Sequence, residues 1–450
     1  MRMNILDRRR AGVLLHLGSL EGALGRGGRA FIDWLADAGF SVWQLLPLGP
    51  TGSDGSPYWV RSDFAGNPLF LDPQELPDPN ARDFDDFANA AQGWLPDFSL
   101  FHALSQRFGG APWWDWPAQF RDRDPGALTR AHHELGTEVH RVRVEQYSFA
   151  IQWRRLREHA RHRGVGLFGD LPFYVAPDSA ETWTHRRQFQ IDSQGRPVAV
   201  AGVPPDYFSA TGQLWGNPLY DWQAMRQDGF QFWRARVKQQ LERFDLLRLD
   251  HFRALAAHWA VPAGAPDARY GQWKPTPGND LLRMLKDDLG SLPLVAEDLG
   301  VITDDVVALR RHFNFPGMRV LQFAFSGEGD NPHLPHMHER DSVVYTGTHD
   351  NDTTVGWFDS LQGETRRWVE LFLRWTPGCM PDALIRQALG SVGALAVLPA
   401  QDLLALGSEA RLNTPGTAVG NWAWRLPAGA LTPDLARHFA TLNRMYGRNA

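Results

Sequence analysis

Apolar runs of strand length, bounded by turn residues, recur near residues 12 to 16, 41 to 46, 165 to 170, 245 to 250, 293 to 297, 318 to 324, 342 to 346 and 394 to 398. Between most of them the apolar positions take up the helical period, over 28 to 38, 139 to 162, 229 to 244, 281 to 289, 303 to 313 and 365 to 373. Alternating strand and helix predicts a parallel sheet with crossover helices, and eight strands is the number that closes into a (β/α)8 TIM barrel. The expected α/β fold is thus a single barrel over residues 1–450. Two connections are too long for plain barrel loops: 50–138 after the second strand and 171–228 after the third. They are expected to be inserted subdomains lying over the C-terminal face, the first with a short helix near 100–108. Asp304 and Asp305, early in the 303 to 313 helix, suit its positive N-terminal end.

Several of these strands end in acids. Leu247-Arg248-Leu249-Asp250 places Arg248 and Asp250 on one face of the fourth strand, cation beside carboxylate, which keeps the acid ionised near neutral pH. Leu294-Val295-Ala296-Glu297-Asp298 ends the fifth, with Glu297 and Asp298 on opposite faces and Asp298 assigned a structural role. The seventh runs into Thr346-Gly347-Thr348-His349-Asp350-Asn351-Asp352, which taken alone reads as an Asx-rich turn. The third ends in Gly169-Asp170. Acids gathered from separate βα units are how such a barrel builds a catalytic cluster, and two facing carboxyls suit glycosidic bond chemistry.

Composition narrows the function classes. With a net charge of -5 and no basic tract beyond Arg8-Arg9-Arg10, a nucleic-acid surface is not expected. A single cysteine, Cys379, excludes an intramolecular disulfide, and no C-x-x-C metal motif is present. A polar N-terminus and the lack of any apolar run of membrane-spanning length point to a soluble cytoplasmic protein with no membrane contact. Tryptophans outnumber tyrosines 19 to 8, so sugar stacking is available to the chain, although Trp113, Trp114 and Trp116 are expected mainly in a core.

The strand-end segments resemble those of the 4-α-glucanotransferases known as amylomaltase or disproportionating enzyme, glycoside hydrolase family 77. The resemblance extends from Gly12-Val13-Leu14-Leu15-His16 to Gly420-Asn421-Trp422-Ala423-Trp424-Arg425, and takes in Gly407-Ser408-Glu409-Ala410-Arg411-Leu412-Asn413 and a long loop over 201–220. It implies retaining transfer of α-1,4-glucan segments from a donor maltooligosaccharide to the 4-OH of an acceptor glucan or glucose, through a covalent glycosyl-enzyme and without metal or cofactor. By this resemblance Asp250 is the nucleophile, Glu297 the general acid/base and Asp350 the third carboxylate, which holds sugar hydroxyls. Arg248, His349, Asp170, Tyr58 and Asn421 match substrate-side positions, while Asp206, Tyr207, Phe208, Gln213 and Trp215 match a lid over the cleft. Ser53 and Phe98 stand where relatives often have tyrosine, and the turn after His16-Leu17-Gly18-Ser19-Leu20 is shortened, departures that touch a secondary glucan-binding surface and leave the catalytic positions whole.

The nearest alternative is an α-amylase-type hydrolase of the same clan. That family carries Asn-His after its third-strand aspartate, where this chain has Leu171-Pro172-Phe173-Tyr174, and no C-terminal β-sandwich pattern is evident here. A non-catalytic glucan-binding protein is a remote alternative, opposed by the intact acids Asp250, Glu297 and Asp350.

Overall fold

A computed structural model describes residues 3–449 apart from Ser53, 79–81, 206–208 and Ala418. Among the described residues the strands are β1 (Arg10–Leu14), β2 (Val42–Gln44), β3 (Gly166–Leu171), β4 (Ala199–Val203), β5 (Gln213–Pro218), β6 (Leu246–Leu249), β7 (Ala257–Pro262), β8 (Gln272–Pro275), β9 (Leu294–Ala296), β10 (Gly317–Val320), β11 (Ser342–Tyr345) and β12 (Leu395–Pro399). Eight of them form one parallel sheet in the order β10-β11-β12-β1-β2-β3-β6-β9. Across the remaining seam the Ala296 amide donates to the Pro316 carbonyl at 2.9 Å, so the sheet curls into the expected barrel. Past β12 the described residues hold no strand, ending instead in the helix Pro433–Met445.

One strand expectation overran. The 318 to 324 run pairs only as far as Val320, and Leu321–Phe323 turns into a short 3-10 helix. Leu321 and Ala324 are buried in that turn, so apolar character outlasts the strand.

Side-chain parity organises the core. Leu14, Val42, Phe168, Leu246, Val295, Met318, Val343 and Leu395 form the cluster inside the barrel. Their alternates Val13, Leu167, Leu247, Leu294, Val344 and Ala396 pack outward against the helices. A one-residue slip would exchange the two sets, so burial on both faces fixes the register. Carried toward the C-terminal rim, the inward positions after Phe168, Leu246 and Val295 are Asp170, Arg248 and Glu297. The interior therefore changes from apolar to charged at one level. Gly169, on the outward side, is required because a Cβ there would lie 2.3 Å from the Phe244 ring.

The chain between β2 and β3 contains the helices Asp83–Ala90, Leu95–Arg107 and Pro125–Glu134 before the long helix Gly136–His162 returns to the barrel. A second core lies there, with Phe98, Phe101, Trp113 and Trp116 buried beside Trp183. Two of the clustered tryptophans are thus packing residues, and Phe98 presents no surface to a sugar.

A four-stranded antiparallel sheet, in the order β5-β4-β7-β8, joins the segment after β3 to the segment after β6. This sheet was not foreseen. β5 (QLWGNP) is half-exposed, β8 (QWKP) is mostly exposed, and both are interrupted by Gly, Pro or Lys, so neither shows a strand-like apolar pattern.

Candidate active site

Asp250 and Glu297 emerge from neighbouring strands in matching register. Leu249 pairs with Ala296, and the ladder continues one step further, with the Glu297 amide donating to the Leu249 carbonyl at 3.1 Å. The two acids are therefore cross-strand neighbours of the same inward parity, one strand spacing apart, about 4.8 Å at the backbone. Glu297 is half-buried, and its carboxylate accepts from the His251 amide at 2.8 Å and the Leu299 amide at 3.1 Å. Burial pushes the Glu297 carboxyl up to about 7; Arg248 and the two amides oppose that shift, while the nearby Asp250 adds to it. Asp298 points outward, accepting from the Met318 amide at 2.7 Å and pairing with Arg310 at 3.3 Å.

Arg248 does more than accompany Asp250. One Nη contacts Asp250 Oδ1 at 2.7 Å, while the other donates to both oxygens of Asp170 at 2.8 Å. Asp170 and Arg248 are register partners on β3 and β6, which places the cation between two acids. The Asp170 side chain, which matches a substrate-side position, is 0% exposed and lies beneath Arg248 and Tyr58. Burial pushes its carboxyl up, against the pull of Arg248. Tyr58 donates its hydroxyl to Asp170 Oδ2 at 2.6 Å and stacks on His349, with ring centroids 5.1 Å apart. Burial raises the Tyr58 hydroxyl well above its ordinary range, so it remains a donor.

Asp350 follows β11 in the polar turn, and its side chain is 45% exposed, open to a ligand. Asn413 donates to Asp350 Oδ1 at 2.6 Å, and Arg411 donates to the Asp350 carbonyl at 2.7 Å. Asn351 accepts from the Thr348 amide and hydroxyl at 2.9 Å, the Asx-type bracing that the turn composition had suggested. His349 Nε2 lies 3.3 Å from Asp350 Oδ1.

Of the lid candidates, Asp206, Tyr207 and Phe208 lie outside the described residues, as does Ser53. Gln213 and Trp215 sit on β5, where the indole donates to Gln213 Oε1 at 3.1 Å. Trp215 meets the His251 ring edge-on at 4.7 Å, which brings the small sheet against the turn carrying Asp250. Asn421 is occupied locally, accepting from the Thr414 amide at 2.9 Å and donating to the Thr417 carbonyl at 2.9 Å. From that segment it is Trp422 that reaches the site, 6.0 Å from the Tyr58 ring and 6.1 Å from His349.

Besides Trp422, three contributors were not singled out from the sequence. His251 holds a left-handed backbone (φ 48°, ψ 49°), an unfavourable conformation that aims its amide at Glu297. Arg411 and Asn413 fix Asp350 from the far end of the chain. Their only local signal was membership of the 407–413 motif. Among the described residues no cluster of three or more His, Cys, Asp or Glu could hold a metal ion, and no helix is long and apolar enough to cross a membrane.

Comparison with known proteins gives one consistent result. A sequence model described as 4-alpha-glucanotransferase matches residues 15–81 and 75–432. Two proteins named 4-alpha-glucanotransferase, from Synechocystis sp. and Thermus thermophilus, are each 43% identical to this chain. The first alignment covers 99% of both chains, the second 96% of this one and 97% of the other. Among solved structures, amylomaltase from Streptococcus agalactiae in complex with acarbose has a TM-score of 0.94 at 31% identity, covering 98% of this chain and 100% of that one.

Proposed function

The chain belongs to the 4-alpha-glucanotransferases of glycoside hydrolase family 77, and from that premise we propose that it moves α-1,4-glucan segments with retention, through a covalent glycosyl-enzyme on Asp250. The observation that carries the retaining reading is the cross-strand pairing of Asp250 and Glu297. Retaining sites separate their carboxyls by about 5 to 5.5 Å, close to one strand spacing, whereas inverting sites need the wider gap of about 6.5 to 9.5 Å that admits a water.

In the first half-reaction the Asp250 carboxylate forms a bond to the anomeric carbon, and the glycosidic bond breaks as Glu297 gives its proton to the departing oxygen. In the second, the 4-hydroxyl of an acceptor attacks the anomeric carbon, Glu297 takes the hydroxyl proton, and Asp250 leaves as the carboxylate. Two inversions give net retention. Arg248 orients Asp250 for attack through its 2.7 Å contact, and the buried Asp170 holds Arg248. Asp350, positioned by Asn413, is placed to take sugar hydroxyls. His349 and Tyr58 form an aromatic wall beside it. Donors and acceptors are maltooligosaccharides and longer α-1,4-glucans.

Incubation with maltotriose, with products resolved by chain length, tests this reading. Glucose and longer oligosaccharides should form while total reducing ends stay nearly constant. Reducing ends that climb in step with bond cleavage would identify a hydrolase instead.

A further inference from the structure

The turn that carries His349 and Asp350 is closed at its base by a buried acid, Asp402, which takes no part in the proposed reaction. Thr346 follows β11, and Thr354 opens the helix Thr354–Ser360, so these two threonines stand where the chain enters and leaves the turn. Asp402, in the short helix Ala400–Leu403 after β12, meets both. Its Oδ2 accepts from the Thr346 hydroxyl at 2.6 Å and the Thr354 hydroxyl at 2.7 Å, while its Oδ1 accepts from the Thr354 amide at 2.7 Å. The two threonines are fully buried, and Asp402 is 1% exposed.

Three donors converging on one side chain select a group that only accepts, which a carboxylate does and a carboxamide or hydroxyl does not. Burial pulls the Asp402 carboxyl up; the bonds from Thr346 and Thr354 pull it back, and the nearby Asp352 adds to the rise. The middle of the turn has its own ties. Gln322 donates to the Asp352 carbonyl at 2.9 Å and Ser408 to Asp352 Oδ2 at 2.7 Å, while the Arg411 bond to the Asp350 carbonyl comes from the same segment after β12. The fit leaves no room for side chains at two points: a Cβ on Gly356 would lie 2.1 Å from Ser408 Oγ, and one on Gly347 2.7 Å from Gln322 Nε2.

Asp350 projects from this turn with its side chain 45% exposed, so its place depends on the backbone beneath it and on Asn413. Without Asp402, two hydroxyls and an amide would be left unpaired in a dry interior, and the turn would have to move to find them partners. A misplacement of about 1 Å in the groups around a reacting centre can cost about a hundredfold in rate.

We propose that Asp402 is a positioning residue for Asp350: by joining the two ends of the turn, it sets the reach of that carboxylate toward the sugar bound beside Asp250. The contact of Asp350 with a sugar rests on the glucanotransferase reading above.

Asp402→Ala removes the acceptor, whereas Thr346→Val and Thr354→Val each remove one donor and keep the side-chain shape, so the valine variants serve if the alanine variant does not fold. On maltotriose Asp402→Ala should lower kcat roughly tenfold to a hundredfold and raise KM by less than about threefold, because the bonds of Asp350 to the sugar strengthen toward the transition state. Acarbose, whose unsaturated ring mimics the flattened sugar, should lose affinity in proportion to kcat/KM. Each valine change should cost roughly fivefold in kcat/KM alone and nothing further beside Asp402→Ala, where the partner is already gone. Amide hydrogen exchange across 347–354 should quicken in Asp402→Ala while the other barrel turns keep their rates, a readout independent of substrate. Folded variants with unchanged kcat, acarbose affinity and exchange would overturn the proposal. So would a loss of kcat with acarbose affinity unchanged, which marks fewer active molecules and a purely structural Asp402. A parent enzyme inactive on maltotriose would instead sink the glucanotransferase reading, and exchange across the turn would still decide whether Asp402 holds it.

Discussion

In the proposed mechanism Glu297 holds a proton when the leaving oxygen departs and is without it when the acceptor arrives, and a carboxyl raised by burial to about 7 can serve both steps near neutrality. The first half-reaction should therefore slow as pH rises through about 7 and the second as pH falls through it, seen in pre-steady-state release of the leaving sugar and in decay of the glycosyl-enzyme. Glu297→Gln should cost about 100- to 10,000-fold in both halves. A maltosyl fluoride donor, whose leaving group needs no acid, should restore only the first; restoration of neither would remove Glu297 from the acid role. Asn413→Ala should lower transfer roughly ten- to a hundredfold by freeing the Asp350 carboxylate, since a hydrogen bond to a charged group is worth about 1.5 to 3 kcal/mol. A change under twofold in a folded Asn413→Ala protein would reduce Asn413 to loop packing. At this scale the sequence showed what alternation along one strand can show, namely Arg248 facing with Asp250 and Asp298 turned away from Glu297. It could not show that Asp170 is buried under Arg248, because that contact depends on the pairing of β3 with β6, nor that Asn413 meets Asp350 from a distant part of the chain.

Secondary-structure elements were legible where burial is two-sided. Each barrel strand is apolar inward and outward, so its run stands out and its ends fall within a few residues of the pairing observed. The small sheet was illegible for the opposite reason: its edge strands are short, half-exposed or mostly exposed, and mixed in composition, and its strands come from two connections separated by β6. That sheet nonetheless carries Trp215 to the ring of His251, the residue next to Asp250. A glycosyl-enzyme survives until an acceptor docks only if water is kept away, and an indole on a strand anchored in a sheet is a physical means of doing so. Trp215→Ala should therefore depress transfer more than hydrolysis, raising the ratio of new reducing ends to new oligosaccharides from maltotriose. Equal loss of both rates in a folded variant would leave Trp215 with packing alone.

The barrel and its insertions are held together by charge as well as by apolar packing. Arg236 is fully buried on the helix Gln231–Arg243; it pairs with Asp63 at 2.7 Å and donates to the Phe173 carbonyl at 2.9 Å and the Pro172 carbonyl at 2.5 Å. Three parts of the chain thus meet at one guanidinium: the connection after β2, the segment after β3 and the helix before β6. Glu181 sits in the same buried cluster, accepting from the Ser62 hydroxyl at 2.6 Å through one oxygen, while the other has no hydrogen-bond partner among the described residues. Burial, with the charge of Asp63 beside it, pushes the Glu181 carboxyl from 4.5 up to about 8. A carboxyl raised on folding binds its proton more tightly in the native state. Its contribution to stability is therefore complete below 4.5 and is lost as pH climbs through about 8. One such proton changes stability by at most about 1.4 kcal/mol per pH unit, and because Asp63 and Glu181 titrate as a pair the slope belongs to both. Glu181→Gln keeps an acceptor for Ser62 and removes the proton, so chemical denaturation of the variant should show a flatter pH dependence than the parent between about pH 5 and 8, with the stability gap moving in the variant's favour at the alkaline end. Parallel curves for the two proteins across that range would mean that Glu181 is ionised in the native state and that the cluster is held by its full complement of charges.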